Sequence, residues 1–243
     1  MRPFLIALQF LTRLPVSLRE SPDDHDIGQS VLYYPLVGLL LGLLLAALAW
    51  AMGDRSTLLR AACLLAAWVL LTGGLHLDGL ADSADAWAGG LGNRERTLAI
   101  MKDPHCGPVA VVVLLVLLLL KLASLEALAA QREALPLVLA PLIGRTALLA
   151  LFLSTPYVRS GGLGEVLARE LPRQPTVIVV LSAVAAILLI MGRDGAWLLA
   201  SVCITFTALR VLMLRRLGGT TGDTAGAMVE LVESSVLMTA AMV

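Results

Sequence analysis

The fold class this sequence predicts is an all-α, polytopic integral membrane bundle of about six to seven transmembrane helices, and three observations predict it. Of its 243 residues 58% are hydrophobic and only 15% charged, with mean hydropathy +0.88, far from what a domain with an aqueous shell carries. Apolar runs near the roughly 20 residues that cross a hydrocarbon core recur along the chain. These runs do not alternate in polarity as barrel strands do, so the spanning elements are helices that satisfy their own backbone groups.

In chain order, the apolar runs place spans over 31–52, 58–75, 107–128, 135–153, 176–192 and 196–214. A shorter segment over 228–243 carries Glu230 and Glu233, which leaves its crossing open. The N-terminal segment 1–30, which begins MRPFLIALQFLTRLP, has an apolar part too short to span and no small-residue cleavage site. It reads as an interfacial segment with Arg2, Arg13 and Arg19 facing headgroups, and no removable signal is expected.

Charge position then orients the chain. With a cytoplasmic N-terminus, that side receives Arg2, Arg13, Arg19, Arg94, Arg96, Lys102, Arg159, Arg169, Arg173, Arg215 and Arg216. The other side receives only Arg55, Arg60, Arg132 and Arg193, while Lys121, Arg145 and Arg210 fall within spans. This bias places the loops 76–106 and 154–175 and the turn 215–227 on the cytoplasmic face. A formal net charge of zero gives no reason to expect nucleic acid as a partner. Cys63, Cys106 and Cys203 show no CxxC or paired spacing, and no repeat or linker divides the chain, so 1–243 reads as a single integral membrane domain.

The chemistry concentrates in LHLDGLADSAD, residues 75–85. On a helix, Asp78, Asp82 and Asp85 stand at i, i+4 and i+7, within an arc of about 60°. Three carboxylates facing one volume repel one another, and a divalent cation, Mg²⁺ for all-oxygen ligands, is the simplest neutraliser. Arg94, Arg96, Lys102 and Asp103 follow closely, and carboxylates that hold a metal beside cations that grip phosphate are the equipment of phosphoryl transfer. A second polar cluster, RRLGGTTGDTAGAMVELVE, offers Gly219, Thr221 and Gly222 as a phosphate cradle and Asp223 as a further oxygen ligand. The same pattern also suits a tight turn between helices. Arg145, mid-span in PLIGRTALL, is costly unless it faces an aqueous cavity or a carboxylate, and is expected at the active-site cavity; Lys121 reads as a snorkelling side chain. His76 is expected to support the site or lie at the interface, because it sits roughly 160° from Asp78 on a regular helix. His25 reads as solvated loop, and neither His105 nor Cys106 is assigned to the site.

Several separated blocks, in the expected order, carry a resemblance. They are FLTRLPV at 10–16, YYPLVGLLLG at 33–42, GGLHLDGLADSADAW at 73–87, RTLAIMKDPHCGPVAV at 96–111, GR at 144–145 and LGGTTGDTAGAMVELVE at 217–233. With them the chain resembles the cobalamin synthase family, the adenosylcobinamide-GDP ribazoletransferases. The resemblance implies a multi-helix enzyme of the cell inner membrane for the last steps of cobalamin biosynthesis, joining adenosylcobinamide-GDP to α-ribazole or its 5′-phosphate with release of GMP and a requirement for Mg²⁺. For that reaction Asp78, Asp82 and Asp85 are expected to hold the metal, one of them (Asp82 foremost) or Asp223 to act as base, and Lys102, with Arg94 or Arg96, to neutralise phosphate charge. Contact with membrane lipid and association with other corrin-pathway enzymes are further expectations. Pro104, His105 and Cys106 depart from the family's usual pattern. Other readings are a lipid phosphotransferase like the CDP-alcohol phosphatidyltransferases, which share the Asp-Gly and spaced acids, a membrane transporter, and a noncatalytic scaffold.

Overall fold

The computed structural model describes residues 1–18 and 20–243, and the expectation for Arg19 lies outside them. Among the described residues five helical units are long and apolar enough to cross a membrane. They are Asp24–Met52 (a short α2, Asp24–Ser30, a 3-10 turn, and α3, Tyr34–Met52), α7 (Pro108–Gln131), α8 (Leu135–Ser154), α10 (Arg173–Leu217) and α11 (Gly222–Met242). The chain is a multi-pass membrane protein. α1 (Arg2–Leu11), α6 (Arg94–Ile100) and α9 (Leu163–Arg169) are shorter helices at one end of the bundle.

Two boundaries are more informative than spacing alone suggested. The apolar runs 176–192 and 196–214 are the two arms of α10, folded back on each other at Gly192 (φ 55°, ψ −122°), with Val180 and Ile187 facing the same cavity as Leu199 and Phe206. Only glycine takes this backbone conformation without cost. The expected span 58–75 ends earlier, because α4 (Thr57–Thr72) stops at Gly73 and Gly74, both left-handed, and α5 (Leu75–Gly89) departs at 88°. Arg13 N–H donates to Leu71 O at 2.7 Å, and the Arg13 side chain fills the space beside Gly73, so α1 buttresses the break. Arg2 meets Asp26 at 3.2 Å and donates to the Ser21 carbonyl, so these two arginines tie the N-terminal segment to the bundle rather than standing free for headgroups.

The core is the sandwich of α3, α8 and α11. Gly38 and Gly42, four apart on α3, let the helix ride directly on the α8 backbone at Pro141 and Val138. In a membrane, where lipid is as apolar as leucine, such small-residue faces supply close packing in place of a hydrophobic drive. α8 is buried on nearly every side, with Leu139, Ile143, Leu149 and Leu151 in the main core. α5 lies across α11 and α7 at the same end as α6, α9 and the 218–221 turn, so the two polar clusters of the sequence meet there.

Candidate active site

The helix expected for the acidic segment is present, but its three carboxylates divide their work. Asp78 lines a cavity of ≈180 Å³ with His76, Gly79, Gly222, Asp223 and Gly226. Gly79 is buried against the Asp223 backbone, where a Cβ would come within 2.7 Å of the Asp223 carbonyl, so a side chain there would push α5 off α11. Asp82, one turn on, stands outside the spans on α5. Its carboxyl is pushed up to about 6, first by burial and then by the charges of Asp78 and Asp223, while Arg159 pulls it down. Asp85 turns to α7. Its two oxygens accept N–H bonds from Gly107 (2.5 Å) and Ala110 (2.9 Å), filling the open donors of that helix's first turn.

The turn ahead of α11 is structural in part. Thr221 is the N-cap, exchanging side-chain and backbone bonds with Thr224, and it is fully buried. Gly219 is packed against Pro156, beneath the pair of backbone bonds Thr220 N–H to Pro156 O (2.8 Å) and Val158 N–H to Thr220 O (2.9 Å). Thr221 and Gly219 therefore hold the turn and do not reach the cavity as a phosphate cradle would; Gly222 does. The strand-like pairing of 156–158 with this turn delivers Arg159, whose Nη1 donates to Asp223 Oδ2 at 2.6 Å. Tyr157 sits beside Gly222, and burial raises its phenol.

The basic residues after α5 also separate. Arg94 Nε donates to the Leu217 carbonyl (2.7 Å) at the end of α10, and Arg216 donates to the Trp87 carbonyl (2.6 Å), so this pair clasps α6 and α5 to α10. Arg96 and Lys102 are exposed to solvent. Asp103 and His105 pair at 2.5 Å on the exposed loop, and the hydrogen bond from His105 lowers the Asp103 carboxyl.

Arg145 is not at the cavity. It is wholly buried, and its guanidinium binds Glu233 and reaches His76 Nδ1 at 3.4 Å. Lys121 does not snorkel; its Nζ binds Glu230 at 2.5 Å and Glu233 at 2.8 Å and lies 4.9 Å from the centre of the Trp68 ring. Two cations and two carboxylates thus neutralise one another between α7, α8 and α11, and Glu230 and Glu233 sit inside a span because each has a partner.

The chain is similar to known proteins over nearly its whole length. The family model for cobalamin-5-phosphate synthase matches residues 3–241. This chain belongs to that family. It is 58% identical over the whole of both chains to a Pseudomonas fluorescens protein named adenosylcobinamide-GDP ribazoletransferase. Proteins of the same name from Pseudomonas savastanoi pv. phaseolicola (54%, all of both chains) and Pseudomonas entomophila (55%, 98% of both chains) are similar to it as well. No solved structure matches it.

In this cobalamin synthase family member, sequence reasoning passed over Arg159 and Tyr157. Arg159 was visible only as one more positive loop charge, and neither residue lies in a recognisable motif. Their signal is the pairing of 156–158 with the 219–221 turn, which joins positions 64 apart in sequence. Among the described residues no three His, Cys, Asp or Glu side chains converge as a closed ion cage. Asp78 and Asp82, one turn apart on α5 with the Asp78 and Asp223 charges acting on Asp82, suit a different arrangement. A magnesium ion commonly takes one or two protein carboxylates and completes its shell with phosphate oxygens and water.

Proposed function

We propose that the chain is an adenosylcobinamide-GDP ribazoletransferase, joining adenosylcobinamide-GDP to α-ribazole or its 5′-phosphate and releasing GMP. The observation that carries the reading is the meeting of Asp78 and Gly79 from one sequence block with Gly222 and Asp223 from another around one cavity. A ribose hydroxyl of the nucleoside attacks the phosphorus borne by the cobinamide side chain; the new O–P bond forms as the P–O bond to GMP breaks, and GMP leaves with the electron pair. The hydroxyl proton passes to a carboxylate of the cluster, Asp82 or Asp223. Asp78 and Asp82 would hold Mg²⁺, which when bound neutralises pyrophosphate charge. Asp85, with both oxygens on backbone amides, serves the position of α7. Arg159 already pairs with Asp223 and can swing from it to a phosphate oxygen, with Arg96 available from the exposed face of α6 and Lys102 from the loop after it. The positive-inside bias supports an inner-membrane enzyme with this site on the cytoplasmic side.

The test is turnover by purified protein in lipid, following GMP and the corrin product together while Mg²⁺ is titrated and CDP-diacylglycerol is added as competitor. Equal amounts of the two products, dependence on Mg²⁺ and indifference to the lipid nucleotide support the assignment. Inhibition by CDP-diacylglycerol would favour a lipid phosphotransferase instead.

A further inference from the structure

We infer that the cleft between α8 and the two arms of α10 is a binding site for one anionic phospholipid, with an acyl chain along the cleft and the phosphate at Arg210. The site is separate from the reaction proposed above. The cleft consists of two adjoining cavities of ≈190 Å³ and ≈280 Å³, which share Ala150, Val180 and Phe206 in their walls. It exists because small side chains line both sides, Ala147 and Ala150 on α8 and Ala183 on the first arm of α10. Val177, Leu181, Cys203 and Thr207 at its margins are exposed, so it opens on the lipid-facing surface. An unfilled cleft in the hydrocarbon forfeits dispersion contacts that an acyl chain restores. Its length also fits a chain. From Ile143 to Ser154, both in the cleft wall, α8 rises about 16 Å at ~1.5 Å per residue, close to half of a roughly 30 Å hydrocarbon core and so to the depth of one leaflet.

Charge singles out the occupant. At its Ser154 end the cleft meets Arg210, whose Nη2 donates to the Ser154 carbonyl at 2.5 Å and whose Nε donates to Thr155 Oγ1 at 3.1 Å. These bonds use two of the five N–H groups of a guanidinium and bring it no negative charge; among the described residues no carboxylate pairs with it. Arg210 follows Phe206 by one turn, and the exposed Arg173 precedes Val177 by one turn, so each arm of the hairpin carries a cation just outward of a residue that lines the cleft. An apolar trough that ends at two arginines matches an amphiphile with an anionic head, whereas an apolar helix from a second copy of the chain would leave both charges without a counter-ion. The headgroup end is also joined to the candidate active site. Thr155 is buried and directly precedes 156–158, the segment that pairs with the turn ahead of α11 and delivers Arg159. A phosphate on Arg210 therefore braces the end of α8 from which that segment departs.

The experiment uses full-length protein in phosphatidylcholine nanodiscs that contain a small share of phosphatidylglycerol or phosphatidylcholine with a photoreactive diazirine on the acyl chain. Labelled peptides are mapped by mass spectrometry, and native mass spectrometry of the same samples counts lipids and protein chains. The cleft segments of α8 and α10 should take up the phosphatidylglycerol probe about fivefold more than the phosphatidylcholine probe, the effect of about one charge at the headgroup level. The exposed face of α7 at Val112 and Leu119 should take up both equally and so serves as the internal reference for a folded bundle. Arg210→Gln, which keeps hydrogen-bond donors without the charge, should abolish the preference, and Arg210→Lys should keep most of it. Ala150→Phe should empty the cleft of label and leave α7 unchanged. Equal uptake of the two probes in the cleft, a preference that survives Arg210→Gln, cleft labelling undiminished in Ala150→Phe, or a dimeric mass with an unlabelled cleft would overturn the site.

Discussion

Asp85 illustrates how a side chain in an acidic motif can be committed to architecture. Its carboxylate takes the N–H groups of Gly107 and Ala110 and so anchors the first turn of α7. Asp85→Ala should lower stability by about 1–2 kcal/mol, the usual cost of losing a helix-terminal acceptor, whereas Asp85→Asn, which keeps one acceptor oxygen, should retain most of it; thermal unfolding in detergent measures both. Arg159 makes a different prediction. Arg159→Ala should reduce kcat/KM about 10²-fold with unfolding temperature nearly unchanged, and Arg159→Lys should recover part of it, as read in a GMP-release assay. At this scale the sequence was legible where chemistry is local. The i, i+4, i+7 spacing of the acids placed them on one helix, but no spacing could reveal that Asp85 meets residues more than twenty positions away or that Arg159 meets Asp223.

Among the elements, α11 depends most on a partner. Its apolar face is interrupted by Glu230 and Glu233, which made its crossing doubtful from sequence; the cations that resolve the doubt sit on α7 and α8. Glu233→Ala leaves Arg145 buried without its carboxylate and should destabilise the bundle by about 3–5 kcal/mol, seen as a lowered unfolding temperature and reduced yield in the membrane. The double variant Glu233→Ala with Arg145→Leu should be less damaging than the sum of its parts, measured as a double-mutant cycle. The α4–α5 break belongs to the same scale. Consecutive glycines announced a turn, while the break is buttressed by Arg13 in the segment just after α1, a contact with no trace in local pattern.

Over the whole molecule, hydropathy carried most of the fold. Helical crossings, their order and the hairpin of α10 follow from apolar length and from Gly192, because lipid requires backbone groups to be satisfied within each helix. The depth of Arg145 and Lys121 did not follow, since an ionised side chain in a span is equally consistent with a cavity or with a partner until the partner is placed. The proposed orientation puts Cys106, exposed on the loop before α7, on the cytoplasmic side. A membrane-impermeant maleimide should therefore label it in inside-out vesicles and not in intact spheroplasts; the reverse pattern would invert the topology. In the proposed function the carboxylates of α5 and the turn of α11 form one phosphotransfer site. GMP release from adenosylcobinamide-GDP and α-ribazole by wild-type protein and Asp82→Asn, in the same lipid and at matched folding, tests it most directly. Turnover by the first and a loss of about 10²-fold or more in the second are expected. Undiminished release by Asp82→Asn would contradict it.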